Sequence, residues 1–418
     1  MIGLYLVLFV PTLTFEEAKD ILLDRSPILQ SASIDVKIAL EKYHQMKASF
    51  YPSVTLQSSY TRLTNVPVME MQTPQGTMEM SMGWPDNYQN ALSISLPLFT
   101  SGKRLIMNKL GEIGVETAEL QRKQTEREMI DNLVQVYFGL LMSQKAKELS
   151  QEALKNAQEH YNVTEAQFKE GSATDLDVIR AEKDVYQAKS NILQADNNIK
   201  NLYRALNNLL GFPVDTIYPL EEEGDSMGIE FPVDSLVQIA FNTREELKSI
   251  DRAIESAKLN IKMNLASFFP DVAFWSNIGY NKPLNFDNEW GWDVKMGVSL
   301  SLPIFQGFSN YHKLKEAKRN LEKLLITRDM VKKNLEIEIR NLYDKLKEAK
   351  EELKVQEENL KLSKRALEMA KEQYRMGYIT HTDYRDIELG YMGAQFSYYS
   401  ALFTYRINLE KIRNAIRR

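Results

Sequence analysis

Gln167-Phe-Lys-Glu-Gly171 and Gln373-Tyr-Arg-Met-Gly377 are two versions of one short sequence, and they lie 206 residues apart (373 − 167 = 206). After each glycine, a threonine and an aspartate follow at matching distances. Two further segments recur in the same order. Ser95-Leu-Pro-Leu-Phe99 returns at the same offset as Ser301-Leu-Pro-Ile-Phe305, and Ala48-Ser-Phe-Tyr-Pro-Ser-Val54 returns 218 residues later (266 − 48 = 218) as Ala266-Ser-Phe-Phe-Pro-Asp-Val272. Colinear recurrence of three segments predicts an internal duplication of most of the chain.

The duplication predicts two repeats, at residues 14–211 and 234–418, joined by a linker or equatorial segment at 212–233. A period of about 200 residues is too long for a solenoid and is typical of duplicated membrane transport proteins. Residues 1–13 include the apolar run Ile2–Val10, which is too short to cross a bilayer as a helix. We interpret residues 1–13 as a signal sequence, although the usual preceding basic residues are missing.

Composition excludes several classes of function. The net charge is −5 with both signs interspersed, which argues against nucleic acid as a partner. The chain has no cysteine, so disulfides, thiolate metal sites and cysteine nucleophiles are excluded. The sequence contains no nucleophile elbow and no phosphate-binding loop, so we expect neither catalysis nor a cofactor. The four histidines lack metal-ligand spacing and are expected at the surface: His44, His160, His312 and His381.

Two segments in each repeat alternate between apolar and polar residues, which predicts β-strands. The four predicted strands are 51–64, 89–99, 271–281 and 292–305. Their lengths fit tilted membrane-spanning strands, and aromatic residues cluster at their ends, as in an interfacial girdle. A soluble four-stranded sheet with one wet face fits the same pattern. If the strands lie in lipid, four cannot close a barrel and open edges are forbidden, so three chains would be needed to give twelve strands.

Two very long helices follow the strand pairs. Residues 101–169 and 309–374 contain no proline, and each would extend about 100 Å as a helix. The second carries a heptad seam from Leu335 to Tyr374 and a separate apolar line at Val355, Leu362, Met369 and Met376. Gly171 and Gly377 are positioned as the residues that end these helices. We therefore predict hairpins at 101–211 and 309–416, packed either as a ring of helices or as a two-helix coiled coil.

The order of these elements resembles the TolC-like outer-membrane efflux protein family. The resemblance is carried by Ser26-Pro27, the segments Ser49-Phe-Tyr-Pro52 and Ser267-Phe-Phe-Pro270 that enter the strands, Leu96-Pro-Leu-Phe99 and Leu302-Pro-Ile-Phe305 that leave them, and the two hairpin tips. It implies a mixed α/β membrane protein. Each protomer would contribute four transmembrane strands to a 12-stranded trimeric barrel, continued by a long periplasmic helical barrel.

The resemblance also implies a function and partners. The protein would be a homotrimeric channel-tunnel in the outer-membrane lipid of a Gram-negative bacterium, spanning the periplasm. It would act as a passive export duct for efflux or type I secretion rather than as an enzyme. A periplasmic adaptor and an inner-membrane RND or ABC transporter would be its partners, and nucleic acid would not. The alternative that the residues leave open is a soluble coiled-coil scaffold protein.

Family positions at the hairpin tips imply site residues. Asp383 and Asp386 match acids that line the narrow entrance, where a carboxylate ring attracts cations and repels anions. Ordinary helix N-terminal acids would give the same pattern. Tyr374 and Asp177 match residues that tie neighbouring hairpins together when the channel is closed. Ile379 stands where the family usually has a basic latch residue, for which Arg180 or Arg385 would substitute. Adaptor docking is expected at Gly171, Ser172, Ala173, Thr174, Gly377, Tyr378, Ile379 and Thr380.

Repeat 1 has 12 more residues than repeat 2 between Val54 and Ser95 (218 − 206 = 12). This insertion is rich in methionine. Thioethers bind Cu(I) and Ag(I), and methionine also serves as a flexible apolar filler. The sequence therefore leaves open a copper or silver site alongside an ordinary apolar role for Met69, Met71, Met78, Met80 and Met82.

Overall fold

The computed structural model describes residues 12–74, 76–221, 232–285 and 287–417. The predicted signal sequence therefore lies almost wholly outside the described residues, as does most of the acidic part of the linker. The helices are α1 Phe15–Arg25, α2 Pro27–Ala48, α3 Lys103–Lys169, α4 Asp175–Leu210, α5 Val233–Thr243, α6 Glu245–Ala266, α7 Ser309–Arg375 and α8 His381–Ala415. The strands are β1 Ser53–Arg62, β2 Val68–Thr73, β3 Gly76–Ser81, β4 Asp86–Phe99, β5 Asp271–Asn281 and β6 Gly291–Ser301.

The two halves of the chain contain helices of matching length in the same order. Helices α1 and α5 have 11 residues each, and α2 and α6 have 22 each. Helices α3 and α7 both have 67 residues, and the returning helices α4 and α8 have 36 and 35. The structure differs between the halves at β2 and β3, a hairpin inserted between β1 and β4. This hairpin accounts for the longer connection in the first half.

The chain forms two compact units, of which the first contains residues 1–34, 120–248 and 329–418. Its main core joins α1, the middle of α3 and the end of α4. Tyr137 is fully buried there, and its hydroxyl donates to the carbonyls of Leu13 (2.7 Å) and Glu221 (2.9 Å). These bonds attach the segments before α1 and after α4 to the core. The apolar core residues include Phe15, Leu22, Leu133, Val134, Leu140, Leu206 and Leu210.

A charged network lies elsewhere in the first unit, where α5 ends and α6 begins. The Arg244 side chain is 7% exposed and binds the carboxylates of Glu246 (3.0 Å) and Glu338 (2.9 Å). Arg127 of α3 also pairs with Glu246. Asn414 donates to the Arg127 carbonyl at 2.9 Å and so attaches the end of α8 to α3. Because charges buried to this degree are costly when unpaired, the network is a strong structural constraint on how the α5–α6 junction packs with α3, α7 and α8.

The second unit contains residues 35–119 and 249–328 and holds one four-stranded antiparallel sheet. The strand order is β1-β4-β5-β6, so β1 and β6 are its edge strands. Strand β4 of the first half pairs with β5 of the second half, which joins the two halves in one sheet. The separate two-stranded β2–β3 hairpin connects the ends of β1 and β4 that lie away from α2 and α3.

Register divides the sheet into an apolar and a polar face. Residues directly opposite each other share a face, and the ladder pairs Leu56 with Leu92, Leu92 with Ile278, and Ile278 with Val294. Serine, threonine, asparagine and glutamine dominate the other face. The apolar face is bare at both edges of the sheet, with Leu56 74% exposed and Val298 64% exposed. A soluble sheet would bury its apolar face, so this exposure argues against the soluble alternative.

The strand limits differ from the sequence prediction. The last strand ends at Ser301 rather than at residue 305, because the partner strand β5 begins at Asp271, the residue opposite Ser301. The first strand is shorter than predicted at both ends, and β4 begins at Asp86, before the predicted residue 89. The predicted strand 271–281 agrees with β5.

Helix α7 has two distinct apolar lines. Members of the predicted heptad seam such as Leu335, Ile339 and Ala370 are buried. Val355 and Leu362, on the second line, are 59% and 66% exposed. Across the part of the chain that the structure describes, no helix has a stretch long and apolar enough to cross a membrane.

Candidate functional site

The candidate site is formed by the two turns that connect α3 to α4 and α7 to α8. Gly171 has φ +77° and Gly377 has φ +78°, the left-handed conformation that favours glycine at a helix end. In each turn, the amide after the glycine donates to a glutamine carbonyl at 2.9 Å: Ser172 to Gln167, and Tyr378 to Gln373. The recurring Gln-x-x-x-Gly segment therefore builds the same turn twice.

The helix after each turn begins with a reciprocal capping box. The Asp383 carboxylate accepts from the Thr380 hydroxyl (2.6 Å) and from the Thr380 amide (3.1 Å), and the Asp383 amide donates back to the hydroxyl (3.1 Å). Thr174 and Asp177 make the same bonds at α4. Hydrogen bonds from the threonine hydroxyl and amide hold the pKa of each aspartate below its ordinary value. Both aspartates thus carry charge at neutral pH and stabilise a helix N-terminus.

The two predicted gate acids differ in their surroundings. One oxygen of Asp383 is occupied by the capping box, as it would be in an ordinary helix N-terminus. Asp386 lies three residues further along α8, on the same side of the helix, and its side chain is exposed. Asp386 is therefore the acid whose carboxylate is more accessible to an ion.

The predicted closure residues are not brought together within the chain. Tyr374 is half-buried and stacks on Tyr384, with ring centroids 5.2 Å apart, whereas Asp177 belongs to the α4 cap. Arg180 is exposed. The Arg385 side chain is 14% exposed and pairs with Asp184 of α4 at 2.7 Å. Arg385 therefore ties the two hairpins of one chain together.

Two histidines contradict the prediction that all four lie at the surface. His44 and His312 are exposed, but His160 of α3 and His381 of α8 are half-buried and stack with ring centroids 4.3 Å apart. The misprediction arose because residues on different hairpins meet here. Nearby, Asn156 donates to Glu388 at 3.1 Å. We call the group His160, His381, Tyr374, Tyr384, Arg385, Asp184, Asn156 and Glu388 the interhairpin cluster.

The interhairpin cluster was invisible in the sequence. At the offset of 206, the residues that correspond to His160 and His381 are Ala366 and Asp175, so the predicted duplication gives no signal for the two histidines. Burial, together with the positive charge of Arg385 and the other ring, lowers the pKa of His160 to about 4. Burial and Arg385 also lower the pKa of His381, while burial raises the pKa of Glu388. Both rings are therefore neutral at pH 7.

The predicted docking residues lie mostly on the outside of the turns. Gly171, Ser172 and Thr174 are exposed in the first turn, and Gly377, Tyr378 and Thr380 in the second. Ala173 and Ile379 are half-buried. Within the described ranges, no group of three or more histidine, aspartate or glutamate side chains is arranged to hold a metal ion.

A four-stranded sheet whose apolar face is exposed indicates a protein that contacts lipid through its sheet, and the same chain contains two helices of 67 residues. The chain belongs to the outer membrane efflux protein family, whose model matches residues 19–212 and 236–416. This membership places it in the outer membrane of a Gram-negative bacterium, and the soluble-scaffold alternative is wrong.

The named relatives are secretion and efflux channel proteins rather than enzymes. The chain is 22% identical to the alkaline protease secretion protein AprF of Pseudomonas aeruginosa over 330 residues, which are 77% of this chain and 67% of AprF. It is 25% identical to the toluene efflux pump outer membrane protein TtgC of Pseudomonas putida over 293 residues. That match covers 67% of this chain and 57% of TtgC, which is less than two thirds of its length.

Solved structures share the fold. The outer membrane protein VceC of Vibrio cholerae superposes with a TM-score of 0.80 at 18% identity, covering 96% of this chain and 95% of VceC. The outer membrane channel CmeC of Campylobacter jejuni gives a TM-score of 0.79 at 17% identity, covering 96% of this chain and 85% of CmeC. At such identities the likeness concerns the fold alone.

Proposed function

We propose that this protein is the homotrimeric channel-tunnel of a tripartite efflux or type I secretion system. It acts as a passive duct, gated at its hairpin tips and engaged there by a periplasmic adaptor and an inner-membrane RND or ABC pump. AprF is named for protease secretion and TtgC for toluene efflux, so relatives serve both kinds of export. The equal helix lengths in the two halves support an internal duplication in which two similar hairpins per chain contribute to one tunnel.

The observation that carries the proposal is the exposed apolar face of the sheet. Strands β1 and β6 are both edges, and backbone groups at an edge have no hydrogen-bond partner in lipid. Pairing the β1 edge of one copy with the β6 edge of the next removes every open edge. Three copies then give twelve strands, with the apolar face towards lipid and the polar face towards the lumen.

Exposed apolar lines on the helices support the same assembly. Val355 and Leu362 on α7 repeat every seven residues, and Leu176, Ile179 and Tyr186 on α4 are 54%, 55% and 62% exposed. Apolar side chains at heptad spacing pack against another helix. We assign these lines to contacts between copies, which makes the helical part a closed ring.

The tips supply the gate in this proposal. Threefold symmetry turns Asp386, with Asp383 behind it in the capping box, into rings of carboxylates that favour cations. Tyr374, Asp177 and Arg180 lie where contacts between neighbouring hairpins would form. Because Arg385 pairs with Asp184 in its own chain, its contribution to closure is to hold the two hairpins of one protomer together.

A matched pair of charge substitutions tests the proposed membrane assembly. Val298 lies on the apolar face of β6, and its neighbour Ser299 lies on the polar face. Val298→Asp should abolish trimers of three 48.3-kDa chains in detergent extracts of the outer membrane, because an acid facing lipid costs on the order of 2 kcal/mol per chain. Ser299→Asp should assemble normally. A sheet that faces water would tolerate Val298→Asp as well as Ser299→Asp, and that result would refute the proposal.

Channel function needs a second measurement on the same trimers. Reconstituted wild-type protein should conduct ions across a planar lipid bilayer without any energy source, since a passive duct needs none. Trimers that assemble but never conduct under any applied voltage would indicate a structural role and would contradict an export role.

A further inference from the structure

The inserted β2–β3 hairpin has a face made of methionine. Register pairs Met69 with Met80 and Met71 with Met78. Residues directly opposite in a ladder share a face, and so do residues two apart in one strand. The four thioethers therefore occupy one face of a six-residue ladder, with Cβ atoms of opposite residues about 5 Å apart. The other face carries Val68, Glu70, Gln72, Thr77, Glu79 and Ser81.

These methionines are accessible. Met69 and Met71 are each 46% exposed, Met78 is 59% exposed and Met80 is 56% exposed. The two strands are joined at their near ends, where Thr73 pairs with Gly76 and the Thr73 hydroxyl donates to the Gly76 carbonyl at 2.7 Å. The register that places the four side chains together continues from this pair along the ladder.

Strand propensity does not account for this composition. Strands favour β-branched and aromatic residues, yet apolar positions on this hairpin are filled mainly by methionine. The whole chain has 17 methionines in 418 residues, so a 12-residue stretch would hold about 0.5 on average, and residues 69–80 hold four. What methionine offers over leucine or valine is a thioether, a soft ligand that selects Cu(I) and similar ions.

The charge of the hairpin favours a cation. Between Arg62 and Lys103 the sequence has no basic residue, whereas it has Glu70, Glu79 and Asp86. Glu70 and Glu79 are directly opposite each other on the non-methionine face, a like-charge pair that is unfavourable without a nearby cation. A bound monovalent ion would partly offset this repulsion.

We propose that the methionine face of the β2–β3 hairpin binds one soft monovalent cation, Cu(I) or Ag(I), through thioethers of Met69, Met71, Met78 and Met80. The site lies at the end of the sheet away from the helices. It is independent of the proposed channel function, since it needs only the folded hairpin.

The test is titration of the full-length detergent-solubilised protein with Ag(I), in competition with a chromophoric chelator. Wild type should bind one tight ion per chain. Replacing all four hairpin methionines with leucine keeps size and apolarity but removes the soft ligands, and should weaken binding by about a hundredfold or more. The matched control replaces four exposed methionines elsewhere, Met296, Met330, Met369 and Met376, with leucine, and should bind as wild type does.

A second variant tests the geometry rather than the number of thioethers. Met71→Gln combined with Gln72→Met keeps the composition but moves one thioether to the opposite face, because adjacent strand residues point to opposite sides. Binding should weaken by about tenfold. Equal affinity in wild type and the four-leucine hairpin variant, equal loss in the control, or no effect of the exchange would each overturn the proposal. If the face serves only for apolar packing, wild type will show no tight Ag(I) site at all.

Discussion

The two hairpin tips share a backbone and differ in side chains. In both, a left-handed glycine ends the outgoing helix, a glutamine carbonyl accepts from the amide after it, and a threonine–aspartate capping box starts the returning helix. The glutamine, glycine, threonine and aspartate of this motif recur at the offset of 206, whereas the amide donor is Ser172 in one turn and Tyr378 in the other. The shared residues are therefore those that the turn itself requires.

The differences lie in the first turns of the returning helices. At the same offset, Asp175, Val178, Ile179 and Arg180 of α4 correspond to His381, Tyr384, Arg385 and Asp386 of α8. Three of the four α8 residues enter the interhairpin cluster, and the fourth is the exposed acid. The two tips thus share one turn, whereas the contacts between hairpins and the exposed acid belong to the second tip.

Arg180 and Asp386 are the corresponding pair that carries opposite charges, and exchanging this charge should have the largest effect, which is on ion selectivity. Asp386→Arg gives the second tip the residue of the first and would change the charge of the proposed trimeric ring by six units. A channel selective through this ring should lose its cation preference, a change on the order of tenfold in the permeability ratio. Reversal potentials across planar bilayers in a salt gradient measure this ratio.

The opposite exchange is the control for Asp386→Arg. Arg180→Asp makes the first tip resemble the second and should raise cation preference. Both variants leave the turn and the capping boxes intact. Permeability ratios that do not respond to either substitution would mean that charge at this position of the tips has no part in selectivity.

The tip glycines should matter equally in the two hairpins, because they belong to the shared backbone. A Cβ at Gly171 or Gly377 would meet no atom within 4 Å, so space is not the constraint. Alanine at φ near +78° costs about 1–2 kcal/mol from the left-handed backbone alone. Hydrogen–deuterium exchange at the tip amides should speed up accordingly in both variants.

Gly390 provides the matched control, since it lies inside α8 and a Cβ there also meets nothing. Gly390→Ala should stabilise the helix by about 1 kcal/mol and slow exchange in the same region. Protection that falls in Gly390→Ala as much as in Gly377→Ala would show that space, rather than backbone conformation, is limiting.

Removing a contact that only the second tip makes should weaken the packing of the two hairpins of one chain against each other. Arg385→Ile introduces the residue found at the equivalent position of α4 and leaves Asp184 without its partner. The pair is half-buried, so its loss should cost about 1 kcal/mol, between the values for surface and buried pairs. A double-mutant cycle with Asp184→Asn, read out by thermal unfolding in detergent, measures the coupling free energy between Arg385 and Asp184. If the two substitutions have additive effects on stability, the pair contributes no coupling and the prediction is wrong.

Much of the fold could be read from the sequence because it rests on local patterns. Period-two alternation located the four strands of the sheet, absence of proline located the long helices, and the recurring glycines located their ends. The seam from Leu335 to Tyr374 was readable because its residues follow one another at heptad spacing. The methionine segment was noticed as composition, although its paired register was not.

Contacts between distant residues could not be read in this way. His160 and Arg385 have no equivalents in the other repeat and no local pattern, and only packing of α3 and α4 against α8 brings them to His381 and Asp184. Asp383 was predicted as a gate acid, but its capping bond was hidden because the sequence signature of a cap and that of an acidic ring are the same.

The smallest expected effect is a pH dependence of the contact between the hairpins. The pKa of His160 in the folded chain is about 4, below its ordinary value of 6.5, and the pKa of His381 is also lowered. When the two hairpins are apart, the two histidine rings therefore bind more protons between pH 4 and 6.5 than they do in the folded contact. The contact should be fully present above about pH 6.5 and weaken as pH falls towards 4. The half-exposure of both rings keeps the change small.

Other charged groups around the two rings modify this dependence. Burial raises the pKa of Glu388, whose contribution favours the folded contact at low pH and so opposes the histidines. Arg385 and Asp184 also act on the His160 ring, Tyr374 packs against the His381 ring, and Tyr384 stacks on Tyr374. Spin labels at the exposed residues Gln158 and Thr382 would report the separation of α3 and α8 as pH falls. The separation should increase in wild type and much less in His160→Gln combined with His381→Gln, since only the histidine contribution is then removed. The same pH response in both proteins would assign it to the tip acids Asp177 and Asp383, whose pKa values are lowered in the folded chain, and not to the histidines.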